Sequence, residues 1–598
     1  MPLDPRPSAS PLRTAVMGLV GCLSVVLLAV AGAAGATTCS DGSPAAEPSL
    51  VSPEDRYGLW TLAPALVAIV TAVTLRQVFP ALVVGILTAA AMIRPCLPAV
   101  EGYGDLPAVV AVLRLAVERY AIGALTDPSH RGVVDVTRIQ TVLFTLTIAG
   151  MVGVIHANGG TAALVRRLAP LASTPRRGQL ATFSAGLMLF FDDYSNCMII
   201  GPTMRPVLDR LRISREKLSY ILDTTAAPIA SLALFGTWIG AEVGFIQAGL
   251  DQLHSDGASP AFLSGTTAYQ IFIWSLPYRF YPLFALFLVF LIGWTGRDFG
   301  PMRAYEARAR RSAVAADSQA APDAGARAWY AALPVGALIV VTMTLLFLTG
   351  WYRAVGPRTF GTILSNADTY VSILYGAVAA LTLAVAISTI ARAPSLAGAL
   401  DAMMTGIQRI LPAVAVLVLA WALSDAMKDL RLGHVAVQTL RSRDFSPHLL
   451  PALIFVSACI VSFATGTSWG TMGILCPVAV LLAGHLGADL PPSQALPLFY
   501  ATVGSVLAGA VFGDHCSPIS DTTVLSALAS ECSLETHVWT QLPYALTAAA
   551  MELLAGDLLC GYFGVPVWFA LLVGAAGLLL FLRAVGRPAS PLEGVQPA

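Results

Sequence analysis

The chain has few charged residues for its length. Only 12% of its 598 residues are Asp, Glu, Lys or Arg, against about 25% in soluble domains. Hydrophobic residues make up 56%, and the mean hydropathy is +0.73. This composition excludes an ordinary globular protein and predicts an all-α polytopic membrane protein in a lipid bilayer.

Other absences exclude further classes of protein. The nine cysteines show no short paired spacing, so neither a zinc site nor a thiol redox motif is indicated. No phosphate-binding Gly-rich loop is present, which disfavours a pump driven by nucleotide hydrolysis. Basic residues fall in short loops and the formal net charge is zero, so no nucleic-acid partner is expected. Four cysteines in apolar stretches are expected to be small packing residues: Cys197, Cys459, Cys476 and Cys516.

The first 57 residues differ in character from the rest. Arg13 precedes an apolar stretch, residues 15–31, and small residues then lead to Ala36. This layout predicts a signal peptide in residues 1–36, with an uncleaved signal anchor as the alternative. Residues 37–57 are rich in Pro, Ser and Ala and are predicted to be an extracytoplasmic linker.

The remaining apolar segments can be threaded through a plasma (inner) membrane by the positive-inside rule, giving about 11–13 transmembrane segments. The C-terminus is then cytoplasmic. Four basic residues fall on the wrong side in this threading: Lys428, Arg431, Arg441 and Arg443. The predicted divisions are an N-terminal pair with an outer loop (58–137), a first repeat (138–296), a basic loop with connecting helices (297–404), a second repeat (405–583) and a tail (584–598).

Asp192 and Asp193 lie side by side in an apolar run, residues 180–202. A charge at the centre of a bilayer costs at least a few kcal/mol, so an intramembrane acid is a hypothesis about ion or proton handling. Arg residues flank the run on both sides, which predicts that it enters and leaves by one face as a re-entrant hairpin. Because adjacent carboxylates repel each other, a proton and a cation would compete for this position.

A second hairpin is predicted at residues 450–483. Its segment TGTSWGT (465–471) corresponds to FFDDYSN (190–196) when the two halves are aligned on the prolines that follow. Each hairpin precedes an interrupted segment with a Pro-Ile pair, AAPIAS (226–231) and CSPISD (516–521). Interrupted apolar segments at matching positions of two halves point to a transporter's binding site. The sequence therefore predicts two inverted repeats with re-entrant hairpins and broken helices.

The two hairpin tips and the two interrupted segments make four breaks in the apolar helices. Their oxygen-bearing side chains are the ligands that a small hard cation prefers. Helix capping is the alternative role for most of them, whereas His515 could also relay protons. Glu242 is expected at a solvated rim, and Trp238 and Trp469 are expected to be packing residues. The predicted pathway residues are Asp192, Asp193, Asn196, Asp223, Thr224, Thr237, Thr467, Ser468, Asp514, His515, Ser517, Ser520 and Asp521.

Longer motifs carry a family resemblance. FFDDYSN, ISREKLSYILDTTAAPIASLALFGTW, GTSWGTMGILCP and GDHCSPISDTTVLSALAS occur in this order. They resemble the NhaC-type sodium/proton antiporter family of the ion transporter superfamily. The resemblance implies a secondary carrier that exchanges Na⁺ for H⁺ by alternating access, without a cofactor or an enzymatic reaction. It also implies Asp193, Asp223 and Asp514 as sodium ligands, and it leaves a homodimer open.

Two alternatives accompany this interpretation. The family includes carriers that resemble malate/lactate exchangers and amino-acid transporters, so sodium could be coupled to a small organic anion or amino acid. Arg409 would help to bind such an anion, or it could simply snorkel to the inner interface. An intramembrane aspartyl protease fits poorly, because Val511 and Tyr194 do not match the pattern of that class.

Overall fold

The computed structural model describes most of the chain. The described residues are 53–75, 77–96, 106–126, 134–167, 169–256, 260–311, 327–354, 363, 366–431, 435, 438–439, 445–518 and 520–588. The predicted signal peptide, nearly all of the linker and the last ten residues of the tail lie outside this part of the chain.

Helices form wherever apolar residues follow a capping side chain. Asp135, Thr174, Ser214, Ser395 and Ser533 each accept a hydrogen bond from a backbone amide in the first turn of the next helix, which satisfies an otherwise unpaired donor. The first helices are α1 (Pro53–Tyr57), α2 (Ala63–Leu75), α3 (Val78–Ile93), α4 (Ala108–Arg114), α5 (Val136–Ala157), α6 (Gly160–Arg166), α7 (Pro175–Met188), α8 (Asp193–Arg210), α9 (Arg215–Thr224), α10 (Ala227–Ala230), α11 (Ile239–Ser255), α12 (Ala268–Ser275), α13 (Phe280–Thr295) and α14 (Gly300–Arg311).

The later helices include the longest in the structure. A π-helical segment, Glu552–Tyr562, continues α22 without a gap. These later helices are α15 (Trp329–Arg353), α16 (Thr369–Ile390), α17 (Leu396–Asp429), α18 (Leu450–Thr465), α19 (Ser468–Gly487), α20 (Pro492–Cys516), α21 (Asp521–Ser530), α22 (Leu534–Met551) and α23 (Val567–Val585).

Ten helices within the described ranges are long and apolar enough to cross a membrane, or up to eleven if the bent pair Ala268–Tyr278 and Phe280–Thr295 counts as one span. This confirms the predicted all-α polytopic fold. The two predicted hairpin segments each contain two consecutive helices, α7 with α8 and α18 with α19, and their re-entry from one face of the membrane remains a prediction. The inverted-repeat relation between the halves remains a prediction.

Contacts between distant residues gather chain segments at two ends of the molecule. β1 (Arg297–Asp298) and β2 (Arg587–Pro588) form a short antiparallel pair, so the segment after α13 meets the segment after α23. Elsewhere, Asp425 accepts from Arg138 at 2.7 Å and Asp429 accepts from Arg119 at 2.9 Å. These ion pairs join the C-terminal end of α17 to the segments at Arg119 and Arg138.

Candidate ion and substrate site

The four helix breaks meet around one cavity of about 240 Å³. Five of the predicted pathway residues line it, and eight further residues complete the wall. The lining residues are Asp193, Tyr194, Trp238, Arg409, Ile410, Pro412, Ala413, Val416, Thr467, Ser468, Trp469, Asp514 and Asp521.

Asp193 stands at the tip of the first hairpin and begins α8. Its Oδ1 accepts from the Tyr194 amide at 3.0 Å, and its Oδ2 accepts from the Trp238 indole at 3.0 Å. The N-terminus of a helix stabilises negative charge, so a carboxylate here is held by two donors and the helix dipole. Asp192 is also buried and lines a small adjoining cavity of about 20 Å³.

Asp514 and Asp521 bring the second break to the same cavity. Asp514 accepts from Ser468 Oγ at 3.2 Å and from Ser520 Oγ at 2.7 Å. The Tyr194 hydroxyl donates to Asp521, and this bond joins the first hairpin to the second broken helix. The sequence interpretation missed Tyr194, because an aromatic residue in an apolar run gives no sign of its hydroxyl's partner.

Asp223 does not join these acids. Its Oδ2 accepts from Gln541 Nε2 at 2.6 Å, from His537 Nε2 at 3.2 Å and from Thr523 Oγ1 at 3.2 Å. In the described part of the chain, no three His, Cys, Asp or Glu side chains are grouped so that they could hold a metal ion together. Of the three predicted sodium ligands, Asp193 and Asp514 line the cavity, whereas Asp223 turns toward α22 and α21.

His515 lies next to this buried network rather than in the cavity wall. Its Nδ1 is 2.6 Å from the Tyr281 hydroxyl, and its Nε2 is 2.9 Å from Thr224 Oγ1. Gln541 donates to the His515 carbonyl as well as to Asp223. His515 and Thr224, two of the predicted pathway residues, therefore contact each other, and neither lines the cavity.

Other predicted residues hold the breaks in shape. The Asn196 amide donates to the Gly186 carbonyl at 2.9 Å and to the Thr225 carbonyl at 2.7 Å. A Cβ atom on Gly186 would lie 2.2 Å from Thr225 Oγ1, so glycine permits this close approach. Two further bonds hold the breaks in shape. The backbone amide of Thr237 donates to the Phe191 carbonyl at 3.0 Å, and Ser517 Oγ donates to the Phe463 carbonyl at 2.8 Å.

Arg409 reaches the cavity from the middle part of α17. This helix begins at Leu396, which places Arg409 about 20 Å along it at 1.5 Å per residue. The Arg409 side chain faces the cavity wall. Trp238 and Trp469 also line the cavity, with ring centroids 6.2 Å apart, so they do more than pack.

Glu242 is not at a solvated rim. Its side chain is 1% exposed and pairs with Arg279, which is 0% exposed, at 2.8 Å. Arg279 also donates to the Ser231 carbonyl, inside the first broken segment. A lone acid near a helix start gave no sign of this partner, 37 residues away, so the prediction failed. The pair holds unwound backbone in place, where lipid could not form hydrogen bonds with the free amide and carbonyl groups.

Comparison with known proteins agrees with this architecture. A family model described as the Na⁺/H⁺ antiporter family matches residues 229–561. The chain belongs to this family. The resemblance seen in the sequence motifs is thereby confirmed, and the protein is a multi-pass integral membrane transporter.

The relatives are similar over different lengths. An uncharacterized protein of Haemophilus influenzae is 28% identical over 88% of this chain and 96% of its own length. The Malate-2H(+)/Na(+)-lactate antiporter of Bacillus subtilis is 39% identical, but over 17% of this chain and 19% of its own. The Na(+)/H(+) antiporter NhaC of Bacillus subtilis is 32% identical over 24% of this chain and 28% of its own length. Among solved structures, the YdaH transporter of Alcanivorax borkumensis is 17% identical with a TM-score of 0.48, covering 76% of this chain and 90% of that chain.

Proposed function

We propose that this protein exchanges Na⁺ for H⁺ across the plasma membrane, with its C-terminus in the cytoplasm and without chemical change to its substrates. The observation that carries the proposal is the convergence of Asp193, Asp514 and Asp521 on one cavity. Carboxylates that face the same cavity disfavour one another's ionised form, so a cation and protons compete for them, and hydroxyl oxygens of the wall would complete the cation's ligands.

The surrounding oxygens suit sodium. Thr467 and Ser468 add hydroxyl groups to the carboxylates, and oxygen ligands are the ones that hard cations prefer. In the proposed cycle, sodium displaces a proton from the acids, and movement of the hairpins exposes the loaded cavity to the other side. Because the Tyr194 amide donates to Asp193 and the Tyr194 hydroxyl donates to Asp521, ion loading at one break changes the hydrogen bonding at the other.

Proteoliposomes that contain a pH-sensitive dye test this proposal. An inward sodium gradient, with no organic solute, should alkalinise the lumen, because Na⁺ enters in exchange for H⁺. Asp514→Asn should reduce this flux at least tenfold, because it removes a cavity carboxylate. Asp401→Asn is the matched control, since Asp401 is an exposed acid on α17. A sodium gradient that moves no protons in the intact protein would refute the assignment.

A second function is favoured by Arg409 and the two indole rings. Arg409 forms no ion pair with any residue that the structure describes, yet it lines the cavity beside Trp238 and Trp469. A guanidinium group binds a carboxylate in bidentate geometry, so the cavity would also accept a small organic anion. The named malate/lactate relative supports this second candidate.

The same liposomes separate the two functions. Malate, lactate and then amino acids are added to the side that holds sodium. If proton movement requires an organic solute, and Arg409→Gln abolishes this solute-dependent proton flux, organic-anion exchange is the function. Simple cation exchange is supported instead if sodium drives proton flux without an organic solute and Arg409→Gln does not change the direction of this flux.

A further inference from the structure

A second pair of buried acids lies outside the candidate cavity. Glu552 and Asp557 belong to the π-helical segment Glu552–Tyr562, at the end of the candidate span Leu534–Tyr562. Their exposed fractions are 0% and 2%. A π-helix bonds residue i to residue i+5 and is frequent at functional sites, and this spacing puts the two side chains on the same side of the helix.

The two carboxyl groups lack the partners that buried acids normally have. Both oxygens of Glu552 and the Oδ2 of Asp557 are buried and make no hydrogen bond of normal geometry to a described residue, although the Tyr281 backbone lies beside Glu552. Neither acid forms an ion pair with a lysine or arginine that the structure describes. An isolated ionised carboxylate in such a place is very costly, so the group neutralises by taking up a proton.

The elements packed around the segment offer no compensating positive charge. They are α13, α18, α20, α22, α23 and the short turn Pro447–Leu449. Arg583 on α23 lies at the end where β1 and β2 pair, and its carbonyl accepts from Arg297 there. The titratable side chains near the segment are Tyr278, Tyr281, His448, Cys459, Tyr500 and Cys560.

Proton counting at Ser505 supports a protonated Asp557. Ser505 Oγ lies 2.7 Å from the Ala501 carbonyl and 2.8 Å from Asp557 Oδ1. A hydroxyl has one hydrogen, and both a carbonyl and an ionised carboxylate only accept. When Ser505 donates to the carbonyl, as Ser residues in helices do, the second contact is a hydrogen bond only if Asp557 carries the hydrogen.

We propose that Glu552 and Asp557 form a second proton-binding site of this transporter, apart from the cavity acids. The segment touches the candidate site's supporting network through α13. A Cβ atom on Gly556 would lie 2.4 Å from the Phe280 ring, and Glu552 lies beside the Tyr281 backbone. The Tyr281 hydroxyl then contacts His515 at 2.6 Å.

This second site rests on the proposed function in one respect, namely that protons are coupled to transport. It adds a proton-binding site that does not bind sodium. The site offers two carboxyl groups and one hydroxyl that is already engaged, which is fewer oxygens than a hard cation usually takes. Protons are therefore its ligand.

Infrared spectroscopy of the full-length protein in lipid nanodiscs tests the site directly. Protonated carboxylic acids give C=O stretching bands that carboxylates lack. Glu552→Gln and Asp557→Asn should each remove one band at neutral pH, whereas Asp401→Asn should remove none. Ser505→Ala should shift the Asp557 band, because it removes the hydrogen-bond acceptor without changing the charge. Unchanged bands in both acid variants, or bands that disappear on adding sodium, would overturn the proposal.

Transport measurements keep the two proposals distinguishable. In proteoliposomes, Glu552→Gln should shift the pH of half-maximal flux by at least half a unit, while the KM for sodium stays within twofold of the intact protein. An unchanged pH profile would refute a role in coupling. If the intact protein shows the infrared bands but no sodium-driven proton flux, the proposed exchange function fails and the proton site stands.

Discussion

The two hairpins differ in charge, in length and in the way their tips are shaped. The first, α7 and α8, turns through residues 189–192 and presents Asp193 to the cavity. The second turns at Gly466, whose φ of 67° lies in the left-handed region, and presents the hydroxyls of Thr467 and Ser468. Both helices of the second hairpin are long and apolar enough to span a membrane, whereas α7 and α8 are not among the candidate spans.

This difference separates two tasks. A carboxylate at the first tip changes its charge when a proton or a cation arrives, but a hydroxyl at the second tip cannot do so in the physiological range. The first hairpin is thus suited to sense loading, and the second to complete the ligand shell. Their tips act on different breaks: Asp193 accepts from Trp238, and Ser468 donates to Asp514.

Moving the charge between the hairpins should have the largest effect. Asp193→Thr makes the first tip resemble the second, and we expect a loss of sodium-driven proton flux of about 100-fold, as for removal of a group essential to ion binding. Adding Thr467→Asp should not restore it, because Asp193 accepts from the Trp238 indole, whereas Thr467 accepts from the Gly470 amide as the cap of α19. Dye-loaded proteoliposomes measure both variants, and restored flux in the double variant would contradict the comparison.

Removing the bond between the hairpin and the opposite break should have an intermediate effect. Tyr194→Phe keeps the ring but deletes the hydroxyl that donates to Asp521. Losing a hydrogen bond to a charged group costs about 1.5–3 kcal/mol, so we expect flux to fall roughly tenfold or more. Tyr269→Phe is a suitable control, since it removes a buried hydroxyl away from the cavity wall. Equal effects of the two variants would show that Tyr194 has no special role.

The second tip should respond more weakly. Ser468→Ala removes one donor to Asp514, which keeps its contact with Ser520. We expect the KM for sodium to rise about three- to tenfold, as for a hydrogen bond of roughly 1 kcal/mol, with little change in maximal flux. A flux loss as large as that of Asp193→Thr would remove the distinction between the hairpins.

The smallest expected effect concerns the contact between Ser214 and Glu306. Ser214, the cap of α9, donates to Glu306 from its amide at 2.8 Å and from its hydroxyl at 2.6 Å. Burial raises the pKa of Glu306 above its ordinary value, Lys217 opposes the rise, and Asp298 adds to it. The folded protein therefore keeps this proton to a higher pH than the unfolded chain, so Glu306 lowers stability as pH rises from its ordinary pKa through the raised one.

Glu306→Gln should remove this dependence. Between those two pKa values and above them, the variant should melt about 1–3 °C higher than the intact protein, and the two should converge at acidic pH. Thermal unfolding in detergent across a pH series measures this. A variant that melts lower at alkaline pH would show that the ionised carboxylate is needed there.

Much of the architecture could be predicted, because breaks in apolar segments leave a visible pattern. Gly466 and Thr467 separate α18 from α19, Ser517 and Pro518 follow α20, and Asp192 stands in the break between α7 and α8. Asp193, Thr467, Ser468, Asp514 and Asp521 follow from that pattern, because a break exposes its own side chains. The partners that are distant in sequence cannot be predicted from this pattern. Nothing local shows that Asp223 faces Gln541, that Glu242 faces Arg279 or that Tyr194 faces Asp521.

The small strand pair β1–β2 limits which parts of the molecule can move independently. It ties the segment after α13 to the segment after α23, and Arg297 adds hydrogen bonds to the carbonyls of Arg583 and Gly586. We therefore expect the end of α23 and the beginning of α14 to move together in the proposed transport cycle. A label attached near residue 588 would consequently report the displacement of α13, although the two lie almost 300 residues apart in the chain.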